Sequence, residues 1–169
     1  MLDRLWAGWR IPYVESDGEA GEVPRDPSKS LFEAIEQSGL PDDQTYVLWR
    51  GELCFALLNA FPYTSGHLMV LPKRAVGELE QLEPAEHDEL WAAVRSAVVA
   101  LKAAYRPEGI NVGINLGKAA GAGVPGHLHV HVLPRWQADT NFATAIAEAR
   151  VLPETLSSTW RKLTDAWPR

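Results

Sequence analysis

The sequence predicts an α+β fold, in which short antiparallel strands form a sheet and a long helix and a C-terminal helix pack against it. Short segments of strand-forming residues are joined by short connections, which favours antiparallel pairing. Residues 84–105 have the apolar spacing of an amphipathic helix. Residues 127–133 alternate histidine with aliphatic residues, as expected of a strand with two different faces.

Composition favours a single globular domain. The chain has 169 residues, of which 46% are hydrophobic, and this is enough for a core without disulfides. We expect an N-terminal arm and loop over residues 1–30 and one domain over 31–169. The formal net charge of −6 argues against nucleic acid or an acidic membrane surface as a partner.

The cysteine content and the hydropathy pattern favour a cytoplasmic protein. Cys54 is the single cysteine, which excludes a disulfide within the chain and a cysteine-rich metal site. The sequence also has no secretory leader pattern and no apolar segment of membrane length.

The first half of the chain predicts one short helix, three strands and one long helix. The short helix spans residues 30–37, since Gly39 follows as a terminator. Strands are expected at 46–49, 53–58 and 67–71, with a turn at 50–52 and a loop at 59–66. In the long helix, Pro84 suits the first turn. Its apolar stripe consists of Leu90, Trp91, Val94, Val98 and Leu101.

The second half predicts two strands around a glycine-rich connection. The strands are expected at 110–116 and 127–133, with the connection at 117–126. A further helix is expected to begin at Phe142, and the C-terminal helix spans 154–165.

Three histidines occupy alternate positions of the last predicted strand. His127, His129 and His131 would lie on one face of the sheet, roughly 7 Å apart, while the aliphatic residues between them face a core. A solvated strand gains nothing from three aligned imidazoles, so this row indicates a functional site.

The histidine row suits nucleophilic attack on phosphorus. Neutral imidazole predominates near pH 7 and is a good nucleophile. His129, in the middle, is the best placed nucleophile, and a neighbour can orient it or protonate the leaving oxygen. Gly121, Gly123 and Gly126 precede the row and allow backbone N–H groups to converge on an anion.

Metal binding is the rival chemistry for the same row. Two histidines at positions i and i+2 and a third ligand make a good zinc site. His67 opens a predicted strand and could reach the same face. His87 lies among acids in the first turn of the long helix, where a solvated role is expected.

The chain resembles the histidine triad superfamily, whose signature is His-x-His-x-His followed by apolar residues. Beyond the triad, the resemblance rests on residues 57–62, 66–73, 111–117 and 127–136 and on the tail segments 139–142 and 151–154. The tail is similar to the bacterial branch related to diadenosine polyphosphate phosphorylases and fragile-histidine-triad hydrolases.

The resemblance implies a fold, an assembly and a set of functional residues. It implies about five antiparallel strands and a homodimer whose sheets join edge to edge. His129 would take AMP covalently, while His127 and His131 hold the phosphate and assist proton transfer. The remaining roles are phosphate positioning by Asn115, a ribose contact by Asn59, support of the triad by His67, and a base pocket formed by Leu53, Phe55 and Phe61.

The resemblance also implies that no cofactor is required, with at most a divalent metal carried by the substrate's polyphosphate. Many bacterial members hold a structural zinc through Cys-x-x-Cys and a later histidine. Here the run Ser30-Leu31-Phe32-Glu33 and Ala75 occupy those positions, so we expect no such zinc and expect packing around Phe32 to replace it.

The sequence therefore predicts a nucleotide hydrolase or nucleotidyl transferase that cleaves dinucleoside polyphosphates at the α-phosphate through an AMP–histidine intermediate. The segment Val124-Pro125-Gly126 differs from the hydrolases and leaves the second acceptor open among water, phosphate and another nucleotide. The alternatives are a non-catalytic nucleotide-binding or interaction module and a metal-dependent hydrolase.

Overall fold

The structure, a computed structural model, describes residues 26, 28–137, 139 and 152–168. The helices are α1 (Leu31–Glu36), α2 (Asp42–Thr45), α3 (Pro84–Tyr105) and α4 (Leu156–Ala166). The strands are β1 (Val47–Arg50), β2 (Cys54–Leu58), β3 (Leu68–Pro72), β4 (Gly109–Ile114) and β5 (Val130–Arg135). Short 3-10 turns lie at Leu79–Gln81 and Lys118–Ala120. The predicted α+β class is confirmed.

The five strands form one sheet in the order β1-β2-β3-β5-β4, and all neighbouring strands are antiparallel. The pairing of β3 with β5 places Met69 opposite His131. This long-range pairing brings the start of β3 beside the histidine strand, although some 60 residues separate them in the sequence. Strands β1 and β4 are the edges of the sheet.

Helix α3 covers one face of the sheet and forms the larger core. Leu90 and Leu101 of α3 are fully buried with Leu68, Val130 and Val132 of the sheet. Removing such side chains from water is the main contribution to folding, at about 25 cal/mol per Å² of apolar surface. Helix α4 packs on α3, and Trp160 donates a hydrogen bond from Nε1 to the carbonyl oxygen of Val47, 2.8 Å away, beside the β1 edge.

Helix α1 covers the opposite face, where a second cluster is buried. Phe32 and Ile35 of α1 pack on the sheet residues Val47, Phe55, Leu57, Met69 and Leu71. The ring of Phe32 also lies 5.4 Å from the ring of His127 and 5.3 Å from that of His129. The histidine side of the sheet is therefore the side that α1 covers.

The structure corrects the extent of the histidine strand. Strand β5 begins at Val130, so His127 and His129 precede the regular ladder. The alternation of the two faces still holds, because Leu128 packs in the α3 core whereas Phe32 contacts the histidine rings.

The predicted stripe of the long helix is wrong at Trp91, which is 39% exposed. Ala93, Ala97 and Ala100 are buried instead, and these small side chains let the helix lie close to the sheet. The predicted bounds of this helix, residues 84–105, agree with those of α3.

Several predictions lie outside the described residues. These are residues 1–25 of the predicted arm and loop and the helix expected from Phe142. The division of the chain at residue 30 therefore stays a prediction. Among the described helices, none is long and apolar enough to span a bilayer.

Candidate active site

The backbone of the histidine segment is hydrogen-bonded to the residues that follow β3 and to the glycine-rich loop. The N–H of Leu128 donates to the carbonyl oxygen of Val76 at 2.6 Å, and the N–H of His127 donates to that of Val124 at 3.2 Å. A Cβ added to Gly77 would lie 3.1 Å from the carbonyl oxygen of Pro125. The glycine at 77 therefore permits the close approach of the two segments.

His127 is fully buried, and both of its ring nitrogens contact protein atoms. Its Nε2 lies 2.8 Å from the carbonyl oxygen of Pro72, and its Nδ1 lies 2.6 Å from Oγ of Ser30. A carbonyl only accepts hydrogen bonds, so in the neutral ring Nε2 carries the proton and Nδ1 accepts from the Ser30 hydroxyl. Burial lowers the pKa of His127, which favours that neutral ring.

This arrangement differs from the expectation that His127 holds the phosphate. With its two nitrogens bonded to Pro72 and Ser30, the ring presents no polar atom to a ligand. The burial that fixes it comes from α1 and from the segment after β3. His127 is thus placed to position its neighbours.

His129 is held in the tautomer that a nucleophile needs. Its Nδ1 lies 2.8 Å from the carbonyl oxygen of His127, so Nδ1 carries the proton and Nε2 carries the lone pair. Burial lowers the pKa of His129, against a smaller rise from the bond to His127. Its ring is 5% exposed. The neutral, nucleophilic form is therefore the form present at neutral pH.

A chain of hydrogen bonds sets the tautomer of His131. The backbone N–H of Tyr63 donates to Nδ1 of His67 at 3.1 Å, so the neutral His67 carries its proton on Nε2. That nitrogen lies 3.0 Å from Nδ1 of His131, which accepts a hydrogen bond from it. The neutral His131 consequently carries its own proton on Nε2.

His129 and His131 thus present opposite polarity side by side. Their ring centroids are 4.9 Å apart, with a lone pair on Nε2 of the first and a proton on Nε2 of the second. One ring can attack an electrophile while the other donates a hydrogen bond to an oxygen bound to it. His67 contacts His131 from the segment just before β3, and its support of the triad stays a prediction.

Asn59 acts as a turn residue in this structure. Its Oδ1 accepts the N–H of Phe61 at 2.9 Å, which is an Asx turn. Its Nδ2 lies 3.4 Å from both ring nitrogens of His67. These contacts connect the 59–66 loop to the histidines. The ribose contact expected of Asn59 and the base contact expected of Phe61 stay predictions.

Two of the residues expected near the base lie in packed environments. Phe55 is fully buried in the cluster beneath α1, and Leu53 packs against the core on the α3 side. Phe55 therefore belongs to the core, whereas Leu53 is only partly buried. The strand pattern hid this, because α1 covers the face to which Phe55 points.

The glycine-rich loop carries one tight turn. Gly121 has a φ of +96° and its N–H donates to the carbonyl oxygen of Lys118 at 3.0 Å. A Cβ at this position would lie 3.9 Å from Nδ2 of Asn115, so the amide of Asn115 faces the loop. Gly123 and Gly126 are exposed. The Gly121 N–H is used within the loop, and donation of N–H groups to a phosphate by Gly123 and Gly126 stays a prediction.

The described residues contain no group of three or more His, Cys, Asp or Glu side chains placed to hold a metal ion. The side chain of His87 is half exposed at the start of α3, and its Nδ1 lies 3.4 Å from Oδ1 of Asp88. Ser30, Glu33 and Ala75, where the resemblance would place zinc ligands, make hydrogen bonds instead. Both carboxylate oxygens of Glu33 accept backbone N–H groups, from Ser30 and Ala75.

A cavity of about 260 Å³ lies beside the 59–66 loop. It is bordered by Pro62, Ser65 and His67 and by Glu154 and Thr159 near the C-terminus, and by no histidine of the row. It adjoins the histidine row through His67, whose Nε2 lies 3.0 Å from Nδ1 of His131.

Sequence reasoning missed several groups that act on the histidines. These are the Ser30 hydroxyl, the carbonyl oxygens of Pro72 and His127, and the backbone N–H of Tyr63. The Ser-x-x-Glu pattern at 30–33 is a visible capping-box signature. Its contact with a residue 97 positions away has no local signal.

Comparison with known proteins relates the chain to one family. The HIT domain model matches residues 41–138. The chain is 43% identical over 172 residues to the AP-4-A phosphorylase of Mycobacterium tuberculosis, covering 100% of this chain and 86% of that protein. It is 39% identical over 93 residues to the asymmetrical bis(5'-nucleosyl)-tetraphosphatase of Schizosaccharomyces pombe, covering 55% of this chain and 50% of that protein.

Solved structures agree with the fold. A Zn-bound histidine triad family protein from Mycobacterium smegmatis superposes with a TM-score of 0.67 and 26% identity, covering 83% of this chain and 94% of that one. A histidine triad nucleotide-binding protein from Sulfolobus tokodaii gives a TM-score of 0.65 at 25% identity, covering 80% and 89%.

Proposed function

Since the chain belongs to the HIT domain family, we propose that it cleaves dinucleoside polyphosphates at an α-phosphate through a covalent AMP–histidine intermediate. The observation that carries this proposal is the 2.8 Å bond from Nδ1 of His129 to the His127 carbonyl. It leaves the lone pair on Nε2, beside the protonated nitrogen of His131. The names of the relatives support the substrate class.

In the first step, Nε2 of His129 attacks the α-phosphorus. The new P–N bond forms as the bond from phosphorus to the bridging oxygen breaks, and the departing polyphosphate leaves with negative charge. The Nε2–H of His131 donates a hydrogen bond to that charge. The Nδ1–H of His129 stays bonded to the His127 carbonyl, which stabilises the ring as it becomes cationic.

In the second step, we propose inorganic phosphate as the acceptor. A phosphate oxygen attacks the AMP phosphorus, the P–N bond breaks, and its electron pair returns to Nε2 of His129. The products from diadenosine tetraphosphate are ATP and ADP. The similarity to a protein named AP-4-A phosphorylase favours this acceptor over water.

Product analysis tests the function and the acceptor together. We expect diadenosine tetraphosphate to give equal amounts of ATP and ADP when phosphate is present and no cleavage when it is absent. With ¹⁸O-labelled phosphate, the label should enter the ADP. Formation of ATP and AMP without phosphate would replace phosphorolysis by hydrolysis, and tight binding without any product would favour the non-catalytic module.

The pH dependence follows from the environment of His129. Protonation of Nε2 removes the nucleophile, so kcat/KM should fall as the pH falls through the pKa of this ring. Because burial lowers that pKa from 6.5, the acid limb should have its midpoint below 6.5. The measurement is kcat/KM from pH 5 to 8 at constant ionic strength; a midpoint at or above pH 7 would contradict the assignment.

The remaining parts of the proposal concern other residues and the assembly. We assign Asn115, Gly123 and Gly126 to the phosphates and Asn59 and Phe61 to the nucleoside. We place no cofactor in the site, so activity without added metal should survive a chelator, whereas a metal-dependent hydrolase would lose it.

We further propose a cytoplasmic homodimer joined along β4. This strand is an edge of the sheet, and Val112 at its centre is 42% exposed. An exposed edge strand offers unpaired backbone groups to a second copy. The mass in solution tests this point.

A further inference from the structure

We propose that Ser30 and Glu33 form a hydrogen-bonded clamp on His127 that positions the nucleophile His129, and that these residues do not fit a metal ion. The effect on catalysis rests on the function proposed above, whereas the clamp itself can be observed without any activity. Its parts are the Ser30 hydroxyl, the Glu33 carboxylate and the carbonyl oxygen of Pro72.

The Ser30 hydroxyl completes the hydrogen bonding of a fully buried ring. With Nε2 of His127 donating to Pro72, its Nδ1 needs a donor, and Oγ of Ser30 at 2.6 Å supplies one. A buried polar atom left without a partner is costly. The ring orientation and the tautomer of His127 are therefore set together by these two partners.

Glu33 holds the hydroxyl of Ser30 in place. The N–H of Glu33 donates to Oγ of Ser30 at 3.1 Å, and Oε2 of Glu33 accepts the N–H of Ser30 at 2.9 Å, which makes a capping box for α1. The other oxygen, Oε1, accepts the N–H of Ala75 at 3.1 Å. The clamp thus ties α1 to the segment that follows β3, close to the Pro72 carbonyl at the end of that strand.

These residues do not fit a metal ion. A structural zinc site uses four nitrogen, sulfur or oxygen ligands in a tetrahedron. Here the side chain of Ala75 has no ligand atom. Both carboxylate oxygens of Glu33 accept backbone N–H groups, and Nδ1 of His127 accepts a hydrogen bond from the Ser30 hydroxyl. Hydrogen bonds from the start of α1 therefore join it to Ala75 and to His127.

The clamp reaches the nucleophile by two routes. The carbonyl oxygen of His127 accepts the proton on Nδ1 of His129, so displacement of residue 127 disturbs the tautomer of His129. In addition, Phe32 lies between Ser30 and Glu33 in the sequence, and its ring contacts the rings of His127 and His129. Ser30 and Glu33 are therefore positioning residues for His129.

The variant that tests the clamp is Ser30→Ala, with Ser30→Thr as the conservative change. We expect Ser30→Ala to lower kcat about 10- to 100-fold, the usual cost of losing a group that orients a catalytic residue. KM should stay unchanged, because the clamp does not touch substrate, and Ser30→Thr should retain most of kcat. Wild-type kcat in Ser30→Ala would overturn the proposal.

Thr155→Ala is the matched control. Thr155 caps α4 through its side chain, as Ser30 caps α1, and its Oγ1 accepts the N–H of Ser158. The lost cap should lower the melting temperature of either alanine variant by about 2–4 °C, and Ser30→Ala should lower it further because Nδ1 of His127 also loses its partner. Only Ser30→Ala should lower kcat. An equal loss of kcat in both variants would reduce the role of Ser30 to stability and overturn the proposal.

Two measurements stand apart from activity. In the ¹⁵N spectrum, His127 should carry its proton on Nε2, and the Nδ1 signal should move in Ser30→Ala. Equimolar zinc should leave the melting temperature of the wild-type protein unchanged. A tightly bound zinc whose removal lowers the melting temperature would overturn the clamp, whereas an intact clamp in a protein that cleaves no dinucleotide would overturn only the proposed function.

Discussion

Replacement of His129 by asparagine is expected to lower kcat for diadenosine tetraphosphate by at least about 1000-fold, because the attacking lone pair is lost. Asparagine can still fill part of the site and donate to the His127 carbonyl, so substrate affinity should change little. The measurement is initial rates with and without phosphate, together with mass spectrometry for an AMP adduct. The adduct should form on the wild-type chain and be absent from the variant.

His87→Asn is the matched control for this prediction. It removes an imidazole that is half exposed and lies in the first turns of α3. Full activity of the His87 variant and loss of activity in the His129 variant separate the nucleophile from a general effect of histidine content. If His129→Asn keeps the wild-type rate, the covalent mechanism is wrong.

The second large effect is on stability. Phe55→Ala should lower the free energy of unfolding by about 3–5 kcal/mol, the usual cost of emptying a packed phenylalanine site. Phe55 is fully buried in the cluster between the sheet and α1, so its truncation leaves a cavity. Urea denaturation gives the change, and KM measured on the folded protein should stay close to the wild-type value.

Val99→Ala serves as the control for Phe55→Ala, since Val99 is 43% exposed on α3. Its effect should lie within about 0.5 kcal/mol, as for other surface substitutions. Unchanged stability together with a large rise in KM for Phe55→Ala would restore this residue to the base pocket.

The regular elements could be read from local pattern. The spacing of apolar residues and the proline at position 84 predicted α3 with the bounds that the structure has. Short runs of β-forming residues between turn signals predicted all five strands within a few residues. The alternation at 127–133 also separated the histidine side from the α3 core correctly.

The sequence by itself determined the family, the antiparallel sheet and the identity of the nucleophile candidate, because each depends on residues that are close together in the chain. Only the tertiary structure decided which proton each histidine carries, since that depends on Pro72, Ser30, Tyr63 and His67, placed there by pairing of distant segments. It also decided that Phe55 is core and that both ring nitrogens of His127 contact protein atoms. Burial and tautomer are set by what covers a residue, and periodicity carries no information about the cover.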